Sequence, residues 1–398
     1  MTNRSTDFIP FARPCLGDAE EQAVLRVMRS GWLTTGGECA AFEREFAAAA
    51  ATKYALAVSS ATAGLHLALE ALGIGAGDRV AMSPYTFTAT AEVVRYLGAD
   101  PLFVDIDSST LTISPRALRA VLQQSAASEH PVRAIIAVHI GGHRCDMDAI
   151  LALADEHDAA VIEDAAHCVP HLTAGVHVGT EGTIGVYSFY ATKPITTGEG
   201  GMLVTNDPAL ADRVRIMRLH GIDRDVWNRY RSTTPSWQYD VVAAGFKYNL
   251  PDLQAAIGRV QLARAPQLLQ QRAQIAAQYR SALCDLREIV LPPQAPSHSH
   301  HLFIIRLRQD LLAIERTEFM AQLGRYGIGA SVHYRPLHLM SYYRKRYGLQ
   351  PEDFPLSLEA YRSAVSLPLY AELSSQQIER VCASVRAVCD QHRVAESR

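Results

Sequence analysis

Short apolar runs and longer amphipathic stretches alternate from about residue 50 to residue 210. The runs at 53–60 (KYALAVSS), 79–84, 101–107 (PLFVDID), 132–140 (VRAIIAVHI), 159–164 (AAVIED), 183–190 (TIGVYSFY) and 201–206 predict seven strands. Several are apolar at nearly every position, as strands buried on both faces of a mostly parallel sheet must be. Helical patterns at 62–72, 86–97 and 146–157 lie between them and set a βαβ rhythm. The rhythm stops near residue 220, where 227–239 is polar, aromatic and strandless, an expected excursion over a surface or into a neighbouring subunit. One long helix is expected over 253–286. A smaller α+β unit follows, with strands at 302–307 and 331–334 and helices at 317–326 and 374–393. The predicted class is therefore α/β, with a large domain over 1–250 and, from the long helix onward, a small C-terminal domain over 251–398.

Composition narrows the field. The 398 residues are 48% apolar and 20% charged, ordinary for a soluble globular protein, and a formal charge of −3 gives no electrostatic footprint for nucleic acid or an anionic membrane. No eighteen apolar residues run together and the first ten lack an apolar leader core, so the expected compartment is the cytoplasm. The seven cysteines are odd in number and contain no C-x-x-C, which suggests free thiols rather than a disulfide framework or a thiolate zinc site.

Three strand ends could carry chemistry. Ser59-Ser60-Ala61-Thr62-Ala63-Gly64 closes an apolar run and opens a helix, which suits either an anion cup of free backbone N–H groups or simple capping by Ser60 or Thr62. Glu163-Asp164 ends another run, where alternation turns one carboxylate toward a crevice and its neighbour away, although acids here also cap helices. Lys193 follows a third run and precedes the glycine-rich Gly198-Glu199-Gly200-Gly201. It is a Schiff-base candidate if desolvated and otherwise a solvated loop residue. Together, anion cup, acid and amine match what pyridoxal phosphate needs for its phosphate, its ring nitrogen and its aldehyde.

At this point the residues reach a family resemblance. SSATAGLHLAL, SPYTFTATA, DPLFVDID, DMDAI, VIEDAAH, SFYATKPITTGEGGMLVTND, RLHGI, GFKYNLPDLQAAIG, VHYRPLH and SLPLY stand in the order seen in the DegT/DnrJ/EryC1/StrS sugar aminotransferases, and the resemblance spans nearly the whole chain. It implies a fold type I, pyridoxal 5′-phosphate-dependent enzyme that aminates a nucleotide-linked keto-sugar, with L-glutamate as donor and ping-pong kinetics. By resemblance Lys193 forms the internal aldimine and then moves the proton as base and acid, while Asp164 partners the pyridine nitrogen. Ala61, Thr62 and Ser188 become phosphate ligands, Phe87 the ring stacked on the cofactor, and His167 a neighbour of its phenolic oxygen. The loop Gly245-Phe246-Lys247-Tyr248-Asn249 would cross to the partner's phosphate in a homodimer with shared sites, through Lys247 or Asn249, where many relatives carry Asn and Arg. His333, Tyr334 and His338 fall at positions the family brings toward the substrate.

KPITTGEGG resembles members that aminate C4 of UDP- or dTDP-4-keto-6-deoxy sugars, whereas C3-aminating members more often carry NLGALGDGG; aminocyclitol transaminases share the scaffold. A lysine at 193 argues against the dehydratases that carry histidine there, and a non-catalytic cofactor-binding regulator is the alternative from another class. Two segments depart from the family, 142–146 (GHRCD), expected to be a surface-loop change, and 169–180. His298, His300 and His301 sit in a Pro/Ser-rich loop without the spacing of a metal motif, so no metal is expected. Gly73 to Gly77 lies after a helix and before a strand, the wrong order for a dinucleotide fingerprint, and is expected to be a turn. Tyr342 to Arg346 is a solvated helix face or a surface for a nucleotide diphosphate.

Overall fold

The computed structural model describes residues 8–170, 172–173, 175–223 and 239–394. All seven predicted strands form: β1 (Tyr54–Val58), β2 (Arg79–Met82), β3 (Asp100–Phe103), β4 (Val132–Val138), β5 (Ala160–Asp164), β8 (Ile184–Ser188) and β9 (Gly201–Thr205), with a short hairpin, β6 (Leu172–Thr173) and β7 (Val176–His177), between β5 and β8. They make one sheet in the order β1-β9-β8-β5-β4-β2-β3. Neighbours pair in parallel except at β9, which runs against both β8 and β1. The apolar strand residues face helices on both sides, with Leu56, Val80, Ile136, Ile162 and Leu203 among the fully buried ones. The excursion at 227–238 lies outside the described residues, and the glycine run at 73–77 is the expected turn.

The long helix runs from Asp252 to Leu283 with Pro266 inside it. It packs against the helices Asp18–Ser30 and Gly37–Ala50 at one end, and its far end, with Tyr279 and Leu283, enters a second apolar core. That core lies under a three-stranded antiparallel sheet of β10 (Ile289–Val290), β11 (Phe303–Leu307) and β12 (Ala364–Leu367). The strand expected at 331–334 does not form: only Ser331 bridges to Ser366, after which the chain turns away and carries His333 and Tyr334 toward the large sheet. No helix among the described residues is long and apolar enough to cross a membrane.

Candidate active site

Register brings the three strand ends together. Val58 at the end of β1 faces Gly201, Gly201 faces Ser188, and Asp164 faces Val186 two residues before Ser188. The anion cup, Ser188 and Asp164 therefore share one edge of the sheet, where parallel strands end and ligands bind in α/β folds. Both readings of the first strand end hold. Ser60 caps the helix Ala61–Ala71, its hydroxyl accepting from the Ala63 N–H at 3.1 Å and its carbonyl from Gly64 at 3.1 Å. The amides of Ala61 and Thr62 are left at the open end, where the helix dipole favours an anion. Gly201 closes the cup from below: a Cβ there would lie 2.7 Å from both the Ala61 nitrogen and the Ser60 carbonyl carbon, so only glycine lets β9 approach.

The two carboxylates of β5 point opposite ways, as strand alternation requires. Glu163 turns into the protein, where its oxygens accept from His139 Nε2 at 2.9 Å and from the amides of Gly179, Glu181 and Gly182 at 3.0, 2.6 and 2.6 Å. It pins the loop before β8 and is a structural anion. Asp164 turns to the sheet edge, buried, accepting from Thr90 Oγ1 at 2.9 Å and from the Ala166 amide at 3.2 Å. Burial raises its pKa, an effect that the two donors, the Lys193 charge and His139 only partly offset.

Lys193 sits in the turn after β8, its own amide bonded to the Tyr190 carbonyl at 2.9 Å. Burial lowers its ammonium to about 8, against the opposing pull of Asp164 and Cys168. A lysine tuned this way is about one-tenth neutral at pH 7, far more than an unperturbed one, as a nucleophile and proton carrier needs.

Histidines and aromatic rings form the facing wall. His167 is buried, with Nδ1 accepting from the Gly141 amide at 2.9 Å, which places its proton on Nε2, 2.9 Å from the Tyr334 hydroxyl. Burial, then the charge of Lys193, holds His167 well below the usual histidine range. Tyr334 lies 5.8 Å, centroid to centroid, from Phe87, a residue that is 56% exposed, unusual for a phenylalanine unless a ligand covers it. His333 stacks on Phe11 at 5.1 Å and bonds Ser366 Oγ through Nδ1 at 2.9 Å; burial and Lys193 push it down to about 4. His338 stands apart, fully buried and packed on the Phe354 ring at 5.0 Å. Sequence reasoning missed His301, whose ring lies 4.6 Å from that of His167. The segment 142–146 is also not the expected surface loop. Gly142 and Cys145 are buried, and Gly142 accepts from the Ser299 amide at 2.8 Å, because this turn and the loop at 299–302 brace each other behind the wall.

The loop Gly245 to Asn249 is held by its own subunit. Tyr248 accepts from the Ser59 amide at 2.7 Å and Phe246 from His220 at 2.7 Å, so the loop runs beside the anion cup. Asn249 donates to Thr35 Oγ1 at 2.7 Å, while Lys247 is exposed with its ammonium on the Asn249 side-chain oxygen.

These residues fit pyridoxal phosphate. A buried carboxylate destabilised by burial is relieved by a pyridinium N–H, the free amides of Ala61 and Thr62 suit a phosphate, and an exposed phenyl ring suits a flat heterocycle. Fold and site together define a pyridoxal-phosphate enzyme of the aminotransferase type. The sequence profile of the DegT/DnrJ/EryC1/StrS aminotransferase family matches residues 14–386. The spore coat polysaccharide biosynthesis protein SpsC of Bacillus subtilis is 41% identical over 391 residues, 98% of this chain and 99% of that protein. Among solved structures, Spr1654 of Streptococcus pneumoniae in its PMP form superposes with a TM-score of 0.88 at 29% identity, over 96% of this chain and 99% of that one. It has also been solved in a PLP form. Helicobacter pylori PseC, an aminotransferase involved in pseudoaminic acid biosynthesis, superposes with a TM-score of 0.86 at 27% identity, over 97% of this chain and all of that one. The chain belongs to the DegT/DnrJ/EryC1/StrS family and is a pyridoxal-phosphate-dependent sugar aminotransferase.

Proposed function

We propose that the enzyme moves an amino group from L-glutamate to C4 of a nucleotide-linked keto-sugar, a UDP- or dTDP-4-keto-6-deoxyhexose, in the cytoplasm. The observation that carries amino transfer is the pair formed by Lys193, lowered to about 8, and buried Asp164 at one sheet edge. The cofactor supplies an electron sink that stabilises a carbanion next to nitrogen. The chain's own residues do the rest. Lys193 takes a proton on Nζ and returns it, Asp164 keeps the ring nitrogen protonated, and the amides of Ala61 and Thr62 with Ser188 anchor the phosphate. Phe87 would cover one face of the ring and His167 would lie by its phenolic oxygen, and His333 and Tyr334 belong to the substrate side, whereas His338, fully buried against Phe354, does not reach it. The KPITTGEGG segment, which resembles C4-aminating members, supports the regiochemistry.

The same reading makes the enzyme a homodimer in which Lys247 or Asn249 reaches the partner's phosphate, and divides each subunit into 1–250 and 251–398. Tyr239, Val241 and Val242, all more than half exposed beside that loop, supply apolar surface for a second subunit to cover. The test is absorbance followed by product analysis. L-Glutamate should convert the bound cofactor to its pyridoxamine form in the native protein and not in Lys193→Ala. Among keto-sugar nucleotides, NMR should then locate the new amine at C4; amination at C3, or of an aminocyclitol precursor only, would overturn the substrate assignment.

A further inference from the structure

His301 takes no part in the functions above, yet it is 95% buried inside the wall next to His167. Its Nδ1 is enclosed without a hydrogen-bond partner among the described residues, whereas Nε2 is not enclosed and also has no protein partner. A buried N–H with no acceptor costs more than a buried lone pair. The proton therefore resides on Nε2, and the ring presents one N–H at its accessible edge. Burial, followed by the charge of Lys193, keeps this imidazole neutral.

Behind it lies an unusual cation. Arg272 is 3% exposed, and its guanidinium bonds three backbone carbonyls, of His300 at 3.1 Å, His301 at 3.4 Å and Leu369 at 3.0 Å. No carboxylate among the described residues pairs with it, and its Nε has no partner. Burying such a charge without a counter-ion is costly, and a nearby bound anion reduces that cost. The guanidinium also fixes the backbone from which the His301 side chain projects. On this side of the site an uncharged donor that is not enclosed thus stands in front of a buried cation.

We propose that His301 contacts the carboxylate of the amino donor, donating from Nε2, with Arg272 as the positioning residue that holds it and lends the wall its charge. This rests on the reading that the donor is an amino acid. The phosphate already has the helix amides and the ring nitrogen already has Asp164; of the ligand anions that remain, the donor's α-carboxylate sits one carbon from the reacting nitrogen and so lies near Lys193, whose charge acts on His301, whereas the nucleotide's diphosphate is a sugar ring away.

The experiment uses the protein loaded with pyridoxal phosphate and glutarate, a dicarboxylate that has no amino group to react. Calorimetric titration of His301→Phe is expected to show glutarate binding weakened at least tenfold, as for loss of a hydrogen bond to a charged group. His301→Gln, whose amide nitrogen falls near the position of Nε2, should keep most of the affinity, and His301→Asn, whose amide falls near Nδ1, should not. If His301→Phe does not load cofactor, the Gln and Asn variants carry the test, and equal glutarate affinity in the two overturns the proposal. So does unchanged affinity in a loaded His301→Phe. A shift in the pH titration of the bound cofactor's absorbance, with glutarate binding unaltered, also overturns it, because the contact would then be to the cofactor's phenolic oxygen. A native protein that L-glutamate does not convert overturns the donor reading and this proposal with it; a native protein that is converted, beside an unaffected His301→Phe, overturns this proposal alone.

Discussion

Asp164→Asn separates the two roles of a buried carboxylate. The substitution keeps shape and volume, and every partner can be satisfied again. The amide oxygen accepts from the Ala166 N–H, and the amide nitrogen donates to Thr90 Oγ1. Thr90 then turns its own proton to Thr86 Oγ1, 2.8 Å away. In the cofactor-free protein the change removes a charge that burial disfavours. The native carboxyl titrates above 3.8 while the unfolded one titrates near it, so folding stability falls as pH rises through that window and stays lower at neutral pH. Cofactor-free Asp164→Asn should therefore be at least as stable as the parent at pH 7. With the cofactor bound the sign reverses. Removing one partner of a buried ion pair costs about 3 kcal/mol, on the order of a hundredfold in rate if the loss falls on the transition state. Stopped-flow absorbance of the glutamate half-reaction measures the second effect and thermal denaturation of the cofactor-free protein the first. A loaded variant reacting within threefold of the parent, or a cofactor-free variant that melts well below it, would refute the reasoning.

Two further outcomes follow from the same geometry. Only the neutral amine condenses with an aldehyde, so the rate at which the cofactor-free protein takes up pyridoxal phosphate should rise with pH through about 8 and level off above it, whereas an unperturbed lysine would keep rising toward 10.5; the cofactor's absorbance reports the rate. Gly201→Ala places a methyl group 2.7 Å from the start of the helix Ala61–Ala71, and overpacking of about 1 to 3 kcal/mol predicts cofactor binding weakened about fivefold or more by fluorescence titration with the fold retained in circular dichroism.

The large sheet was legible because its strands are apolar on both faces, a pattern that survives without tertiary context. The site was legible where it is local: Asp164 and Lys193 each end an apolar run, and alternation alone says that Glu163 and Asp164 face opposite ways. Long-range pairing escaped it. His301 reaches the wall only because its amide and that of Leu302 both bond the Gly141 carbonyl, 160 residues earlier in the chain, at 3.1 and 3.0 Å. The segment 331–334 has a strand's composition but finds only Ser366 to pair with, whereas 364–367, directly after a helix and without a turn signal, completes the small sheet as β12.

The three imidazoles of the wall gain their meaning from the lysine. Each is held below its usual range by burial together with the Lys193 charge, and by reciprocity each would push Lys193 lower still if it were protonated. The consistent state at neutral pH is one in which all three stay neutral, leaving Lys193 to carry the mobile proton opposite an ionised Asp164. On the proposed reading, ligand orientation then falls to uncharged donors, Tyr334 Oη–H and His301 Nε2–H, and to backbone amides at the helix start. The incoming anions meet little competing negative charge beyond Asp164. Adding negative charge to this wall, as His301→Asp does, should therefore disturb the proton affinity of Lys193 as well as ligand binding. The pH at which cofactor uptake rises should move upward, because a nearby carboxylate stabilises the ammonium; no movement in that profile would show that the 301 side chain and the lysine do not share one field.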